Sequence, residues 1–335
     1  MTGAPSGTST LAVATRGLVK RYGARPALQG LDLSVPTGSV YGFLGPNGSG
    51  KTTTLRLLVG LLRPNAGSIE LLGQPFSGRD RRRLFRVGSL IEQPAFYPYL
   101  SGRDNLRVFA ATGAPTSSQS IAQVLEYVGL TDRATDKVKT YSLGMRQRLG
   151  IAVALLSDPE LLLLDEPANG LDPAGIVAMR EMLRYLTSTG KTVLVSSHIL
   201  PEIQQLADVV GIIDRGRLVR EGPIGQMLSE GAHVRVRVLP DQLQAALAIL
   251  ARLTPELRPD FEGPAAGWID VRIKGERAGE VNRLLAESGI YATGLEAAND
   301  LESVFLSLTA AAPPPQTNPL GPPPGWGQPQ AGGPA

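Results

Sequence analysis

At 335 residues, 42% hydrophobic and 19% charged, the chain is long enough for one large domain and a smaller one and has an ordinary globular composition. With 33 basic and 30 acidic residues the net charge is +3, which is not the electrostatic footprint of a nucleic-acid binder. The lack of cysteine excludes disulfides and thiolate metal sites, and no apolar run is long enough to span a bilayer as a helix.

Residues 1–11, opening MTGAPSGTST, lack the basic region and apolar run of a signal peptide and are expected to form a disordered arm. A main domain is expected over residues 12–231. It begins with the strand-like LAVATRGLVKRYG, a turn and ALQGLDLSV, then runs through SVYGFL, VGSLI, ELLLLD, TVLVSS and VVGIID. Helical spacing falls between these runs, as in Ile121–Val128 and Arg146–Leu156. Strands alternating with helices predict an α/β domain around a buried parallel sheet. Residues 232–310 are expected to form a small α+β domain. In it HVRVRVL, WIDVRIK and IYATGLE read as strands, while DQLQAALAILARL, AGEVNRLLAESG and LESVFLSLT read as helices, giving a β-α-β-α-β-α order. Residues 311–335 are rich in Pro, Gly and Gln, a composition that buries little apolar area and predicts a disordered tail of polyproline II character.

Chemistry concentrates in GPNGSGKTT, Gly45–Thr53, between the strand-like SVYGFL and leucines at helical spacing. A strand, a glycine-rich turn and a helix is the setting in which G-x-x-x-x-G-K-[ST] marks a phosphate-binding loop. Gly45, Gly48 and Gly50 free the backbone to turn successive N–H groups into one concavity, and the following helix adds the positive end of its dipole. Lys51 supplies a mobile cation for β- and γ-phosphate oxygens, and the Thr52 hydroxyl suits Mg²⁺. The bland alternative is a glycine loop that merely caps a helix.

Further along, ELLLLDEP (Glu160–Pro167) reads as a strand buried on both faces that ends in two carboxylates. Ligands bind at that edge of open α/β sheets. Asp165 is placed to hold Mg²⁺ opposite Thr52, and Glu166 to orient and deprotonate a water attacking the γ-phosphate. Alone, the pair reads equally as solvated acids closing a strand. In YSLGMRQRLGIAVALL, Ser142 is a good N-cap, Gly144 allows close approach, and a free serine hydroxyl at a helix start suits an anion. A second phosphate site is redundant within one subunit and makes sense if it serves nucleotide held by another.

The order of phosphate loop, S-x-G-x-x-Q-R helix, LLLLDEP, NGLDP and strand-plus-histidine resembles the ATP-binding subunits of ABC transporters over about two thirds of the chain. The resemblance implies a P-loop NTPase fold of ABC type with a helical subdomain. It implies that Gly45, Pro46, Asn47, Gly48, Ser49, Gly50, Lys51, Thr52 and Thr53 hold ATP, with Mg²⁺ on Thr52 and Asp165. It makes Ser142 and Gly144 part of the signature motif, Asp172 part of an interface loop over Asn169–Pro173, His198 a switch histidine at the γ-phosphate, and Tyr22 the aromatic that stacks on adenine. Without the family, His198 would read as a structural histidine and Tyr22 as a half-buried strand residue; His233 has no assigned role. Two departures stand out. Leu143 and Met145 flank Gly144 where the family usually has glycine and glutamine. Glu92 falls at the position of a metal-contacting glutamine, with Gln93 the alternate. The family also implies a separate transmembrane permease, an ATP-closed homodimer or heterodimer, no nucleic acid, and a place on the cytoplasmic face of the cell membrane. The loop IEQPAFYPYLSGRDNL and the ending LESVFLSLT are similar to those of bacterial drug, bacitracin and lantibiotic exporters, and Phe96, Tyr97 and Tyr99 could meet the permease or pack inward. Two other classes fit the sequence less well. Soluble relatives in translation or repair carry paired ATPase domains, coiled coils or zinc cysteines; an unrelated kinase or GTPase would lack the S-x-G-x-x-Q-R helix.

Overall fold

Residues 23 and 24 leave no length for a crossover, so the first two strands of the chain can only run antiparallel. In the computed structural model, which describes residues 11–78, 80–92, 95–113, 117–230, 233–259, 266–298, 301–302 and 304–305, β1 (Leu11–Tyr22) and β2 (Arg25–Pro36) pair in this way through Gly23. The arm expected at 1–11 lies outside the described residues except for Leu11, which already opens β1; the tail expected at 311–335 lies wholly outside them. The chain then enters a second sheet as β3 (Val40–Leu44), turns into α1 (Lys51–Leu58), and returns as β4 (Ala66–Leu71) and β5 (Gln74–Pro75). The first sheet is therefore antiparallel, in the order β2-β1-β4-β5, an addition to the parallel sheet that the sequence predicts.

The parallel sheet is present. After the single turn α2 (Arg81–Leu84) and β6 (Val87–Leu90) come three helices, α3 (Gly102–Thr112), α4 (Ser118–Tyr127) and α5 (Leu143–Leu155). Then follow β7 (Leu161–Asp165), α6 (Pro173–Ser188), β8 (Thr192–Ser197), α7 (Leu200–Leu206), β9 (Val209–Asp214), β10 (Arg217–Pro223) and α8 (Ile224–Glu230). The order is β10-β9-β3-β8-β7-β6, parallel from β9 to β6 with β10 antiparallel at one edge. The four-leucine run behaves as its pattern demands. Alternate side chains leave a strand on opposite faces, so Leu162 and Leu164 enter the core shared with the helices, while Leu161 and Leu163 enter the core between the two sheets. All four are fully buried.

The last unit is a third sheet. Strands β11 (His233–Arg237), β12 (Leu257–Pro259), β13 (Trp268–Val271) and β14 (Gly294–Ala298) lie antiparallel in the order β12-β13-β11-β14. Helices α9 (Leu243–Leu250) and α10 (Ala278–Glu287) close a small core around Val234, Val236, Ile269 and Val271. The observed order is β-α-β-β-α-β, which differs from the expected β-α-β-α-β-α at two places. The three-residue β12 was not expected, and the segment read as a final helix of this unit packs elsewhere. Leu301 and Val304 are buried in the core of the main domain, where Leu301 N donates to Gln204 Oε1 on α7 at 3.0 Å. α9 and α10 supply the helical side of the small core, whose last buried member among the described residues is Ile290, with Ala292 packed against it.

Candidate active site

The C-terminal ends of β3, β7 and β8 lie side by side, Leu44 opposite Ser197 and Asp165 opposite Ser196, and this register assembles the site. From β3 the chain enters the glycine loop. A Cβ at Gly45 would lie 2.3 Å from Ile213 O and 2.6 Å from Ser49 Oγ; Gly50, at φ 116°, would place one 2.9 Å from Ala27 O. Backbone thus supports the loop closely from beneath, and only glycine fits there. The loop residues Asn47, Gly48, Gly50, Lys51, Thr52 and Thr53 line an open cleft of about 690 Å³. At the start of α1 no side chain caps the helix and no acid sits in the first turn, so its N–H groups are available to an anion. The Ser49 hydroxyl is buried in the loop without a hydrogen-bond partner among the described residues. These features fit a polyphosphate.

Lys51, 5% exposed, folds back over the loop. Its Nζ donates to Gly45 O at 2.7 Å and Pro46 O at 3.3 Å, and lies 3.2 Å from Glu166 Oε1. Asp165 Oδ2 accepts from Thr52 Oγ1 at 2.6 Å, which brings together the two hard oxygen donors expected for Mg²⁺. Among the described residues there is no cluster of three or more His, Cys, Asp or Glu able to hold a metal. One hydroxyl and one carboxylate are nonetheless what Mg²⁺ takes from a protein when phosphates and waters complete its shell.

Glu166 turns out of β7 with φ 48°, in the left-handed region. Its backbone is fixed by N–H bonds to Ser196 O (3.2 Å) and Ser196 Oγ (3.0 Å), and its Oε2 lies 2.7 Å from His198 Nδ1. The carboxylate is therefore strung between Lys51 and His198 at the wall of the cleft. Ser196 also donates to Asp165 Oδ1 at 2.5 Å, so one buried hydroxyl positions both acids. Sequence reasoning missed Ser196; its signal was its place two residues before His198 on the strand beside LLLLDEP. It also missed Arg25, Gln29 and Arg215, which line the cleft, and nothing local in the sequence marks them; Asn169, expected in the interface loop, lines the cleft as well. Nearby, burial raises the Glu202 carboxyl above its ordinary pKa; the Glu166 charge adds to this and His198 opposes it.

Tyr22, at the end of β1 and about half exposed, lines the same cleft, with Lys20 Nζ 5.5 Å from its ring centre. Ser142, Gly144 and Asp172 do not line it. Ser142 caps α5 by accepting from Met145 N at 3.2 Å, and Asp172 caps α6 by accepting from Gly175 N at 2.9 Å. A Cβ on Gly144 would meet Leu171 at 3.4 Å, so the two caps belong to one packed surface. Glu92 borders a small hollow with Asp165, Glu166, Asn169 and Gln147, but its carboxylate pairs with Arg56 and is largely exposed. A metal role would require it to leave Arg56. Gln93 lies outside the described residues. Phe96 packs inward, edge-to-face with Phe109 at 5.9 Å, whereas Tyr97 and Tyr99 remain exposed.

Residues 28–169 match the family model described as ABC transporter. The chain is 41% identical over 298 residues to the bacitracin transport ATP-binding protein BcrA of Bacillus licheniformis, covering 88% of this chain and 96% of that protein. It is 38% identical over 305 residues to the daunorubicin resistance ATP-binding protein DrrA3 of Streptomyces coeruleorubidus, covering 89% and 96%. A lantibiotic transport ATP-binding protein, SrtF of Streptococcus pyogenes, is 44% identical over 206 residues, 62% of this chain and 88% of that one. Among solved structures, an ATP-binding cassette of an ABC transporter in its ADP conformation matches with a TM-score of 0.60 at 22% identity, covering 66% of this chain and 95% of the other. That likeness establishes the fold.

Proposed function

The chain belongs to the ATP-binding proteins of ABC transporters, and on that premise we propose that it is the ATP-hydrolysing motor of an exporter for a drug, peptide antibiotic or lipid-like molecule. The observation that carries the reading is the position of Glu166, a carboxylate at the cleft wall held by Lys51 on one oxygen and His198 on the other. In this reading the phosphates of ATP enter over the glycine loop and draw Lys51 from its carbonyl partners. Glu166, released from Lys51, then accepts a proton from the attacking water, and His198 turns toward the γ-phosphate. Thr52 and Asp165 hold Mg²⁺, which neutralises charge developing between the β- and γ-phosphates when bound. Tyr22 stacks on the adenine. Ser142, Gly144 and Asp172, on a surface away from the chain's own cleft, complete the site of a second ATPase chain in a head-to-tail dimer, either a homodimer or a heterodimer.

The structure has no helix, among the described residues, that is long and apolar enough to cross a membrane. The motor accordingly works through a separate permease at the cytoplasmic face of the cell membrane. Tyr97 and Tyr99, in the loop that leads into α3, are exposed aromatics suited to a permease segment. Co-expression with the membrane protein encoded beside it tests this. The chain should sediment with membranes, and Tyr97→Glu with Tyr99→Glu should release it while ATP binding persists. A chain that stays unattached in its native host, with no membrane protein recovered by crosslinking, would instead be an ABC-type ATPase not coupled to transport.

A further inference from the structure

A second hollow shares Glu166 and Asn169 with the nucleotide cleft. It is bounded by the turn Glu166–Asn169, by Ile176, Met179 and Leu183 of α6, and by Val195, Ile203 and Leu206 of β8 and α7. Its volume is about 140 Å³. An enclosed apolar cavity of ~150 Å³ takes up benzene; this hollow has a similar volume but is partly open to solvent. Here Met179, Leu183, Val195, Ile203 and Leu206 are all buried walls. The polar rim is largely committed. The Arg180 guanidinium donates to Gln205 Oε1, and burial favours the neutral form of Glu202.

The position of the hollow couples it to the acids. Glu166 lines it, and so do Ser197 and Ile199, the chain neighbours of His198. The 2.7 Å contact between Glu166 and His198 joins these two segments. The hollow exists in an arrangement in which Glu166 is also paired with Lys51, the state that must dissolve before water is activated. A molecule that binds the hollow more tightly in this arrangement than with the pair broken would shift the population toward it.

We propose that this hollow binds one small, uncharged, mainly hydrocarbon molecule of aromatic size, and that its occupancy slows ATP hydrolysis. The second half rests on the reading of Glu166 as the base; the first does not. Indole is a suitable probe. Calorimetry on the full chain should show saturable one-to-one binding, weakened by Mg-ATP, since coupling between two ligands is reciprocal. Phosphate release at saturating Mg-ATP should fall at least 3-fold when the site is filled, by roughly the coupling energies typical of allosteric pairs. Ile176→Trp, which plugs the half-buried mouth, should weaken indole by about 10-fold or more, the scale of losing a fitted apolar contact, with the melting temperature and nucleotide affinity preserved. If that variant does not fold, Val195→Ile, one methylene larger at the wall, should weaken indole roughly 3-fold. No saturable binding, or a folded plugged variant that binds indole as the parent does, overturns the site. Binding that is lost on plugging but never changes turnover overturns the regulatory half. If Glu166→Gln keeps full turnover while indole still binds, the catalytic reading fails and the site stands.

Discussion

Glu166→Gln tests the proposed chemistry in two directions at once. Lys51 Nζ and Glu166 Oε1 are 3.2 Å apart, with side-chain exposures of 6% and 22%. At an effective dielectric of about 20 their attraction is roughly 5 kcal/mol before desolvation is counted. Hydrogen bonds to charged groups are worth about 1.5–3 kcal/mol net. The lower end applies here, because Lys51 keeps two backbone carbonyls and Glu166 keeps His198 when they part. If ATP breaks this pair, as proposed, a neutral glutamine should tighten ATP binding by about 1–1.5 kcal/mol, which is roughly 5- to 10-fold. Removing the base should meanwhile lower turnover by ~10²–10⁴-fold. Titration calorimetry with Mg-ATP and steady-state phosphate release read the two effects separately. ATP affinity that is unchanged or weaker would mean that the ion pair survives binding. Turnover within about tenfold of the parent would move the base elsewhere.

Three further outcomes follow from the same geometry. Lys51→Ala should weaken ATP binding and lower turnover together, because in the proposed role the cation meets phosphates in ground and transition states alike; unchanged affinity by calorimetry would contradict that role. Ser196→Ala removes a buried hydroxyl that holds both Asp165 and the Glu166 backbone, and should lower the melting stability by ~1–3 kcal/mol. Phosphate release should fall with it, and a variant matching the parent in both would show that the two acids hold their own positions. Ser142→Arg places a long cation at the cap of α5 and should abolish ATP-dependent dimerisation of the Glu166→Gln chain on size exclusion. Persistence of the dimer would take the signature helix out of the interface.

What the sequence revealed of the site was what is local in the chain. Glycines spaced through GPNGSGKTT dictate the loop because the constraint falls on each glycine's own backbone. LLLLDEP announces a strand buried on both faces, and the acids after it land at the sheet edge because the strand ends there. The partners of those acids are not local. Lys51, Glu166 and His198 come from three strand ends brought together by sheet order, and no spacing along the chain encodes that order. The same limit governs the fold. β10, an edge strand reading RLVREGP with little buried surface, shows neither clean alternation nor an apolar run, and β12 is three residues long with a proline. Leu301 and Val304 were legible as apolar positions at helical spacing, but such spacing says only that they pack, not which of two cores they join. Glu92 shows the opposite case: its position in the chain points at the metal, while Arg56, one helical turn past the loop, holds its carboxylate.

The site divides into parts that are fixed and parts free to change partners, and burial marks the division. Asp165 sits at the end of a strand whose leucines are locked into two cores, and both of its oxygens are engaged by Thr52 and Ser196. In the proposed site it would hold a metal without moving. Glu166, one residue later, has left the strand in a left-handed turn; its backbone is pinned by Ser196 while its carboxylate is held, among the described residues, by two side chains from other elements. One of these, Lys51, is the group that incoming phosphates would claim. Binding of ATP would therefore free the base by competing for its partner, with no rearrangement of the sheet. An acid kept paired in this way until substrate arrives has a reason to stand beside the loop lysine, and the left-handed turn at Glu166 is what points it there.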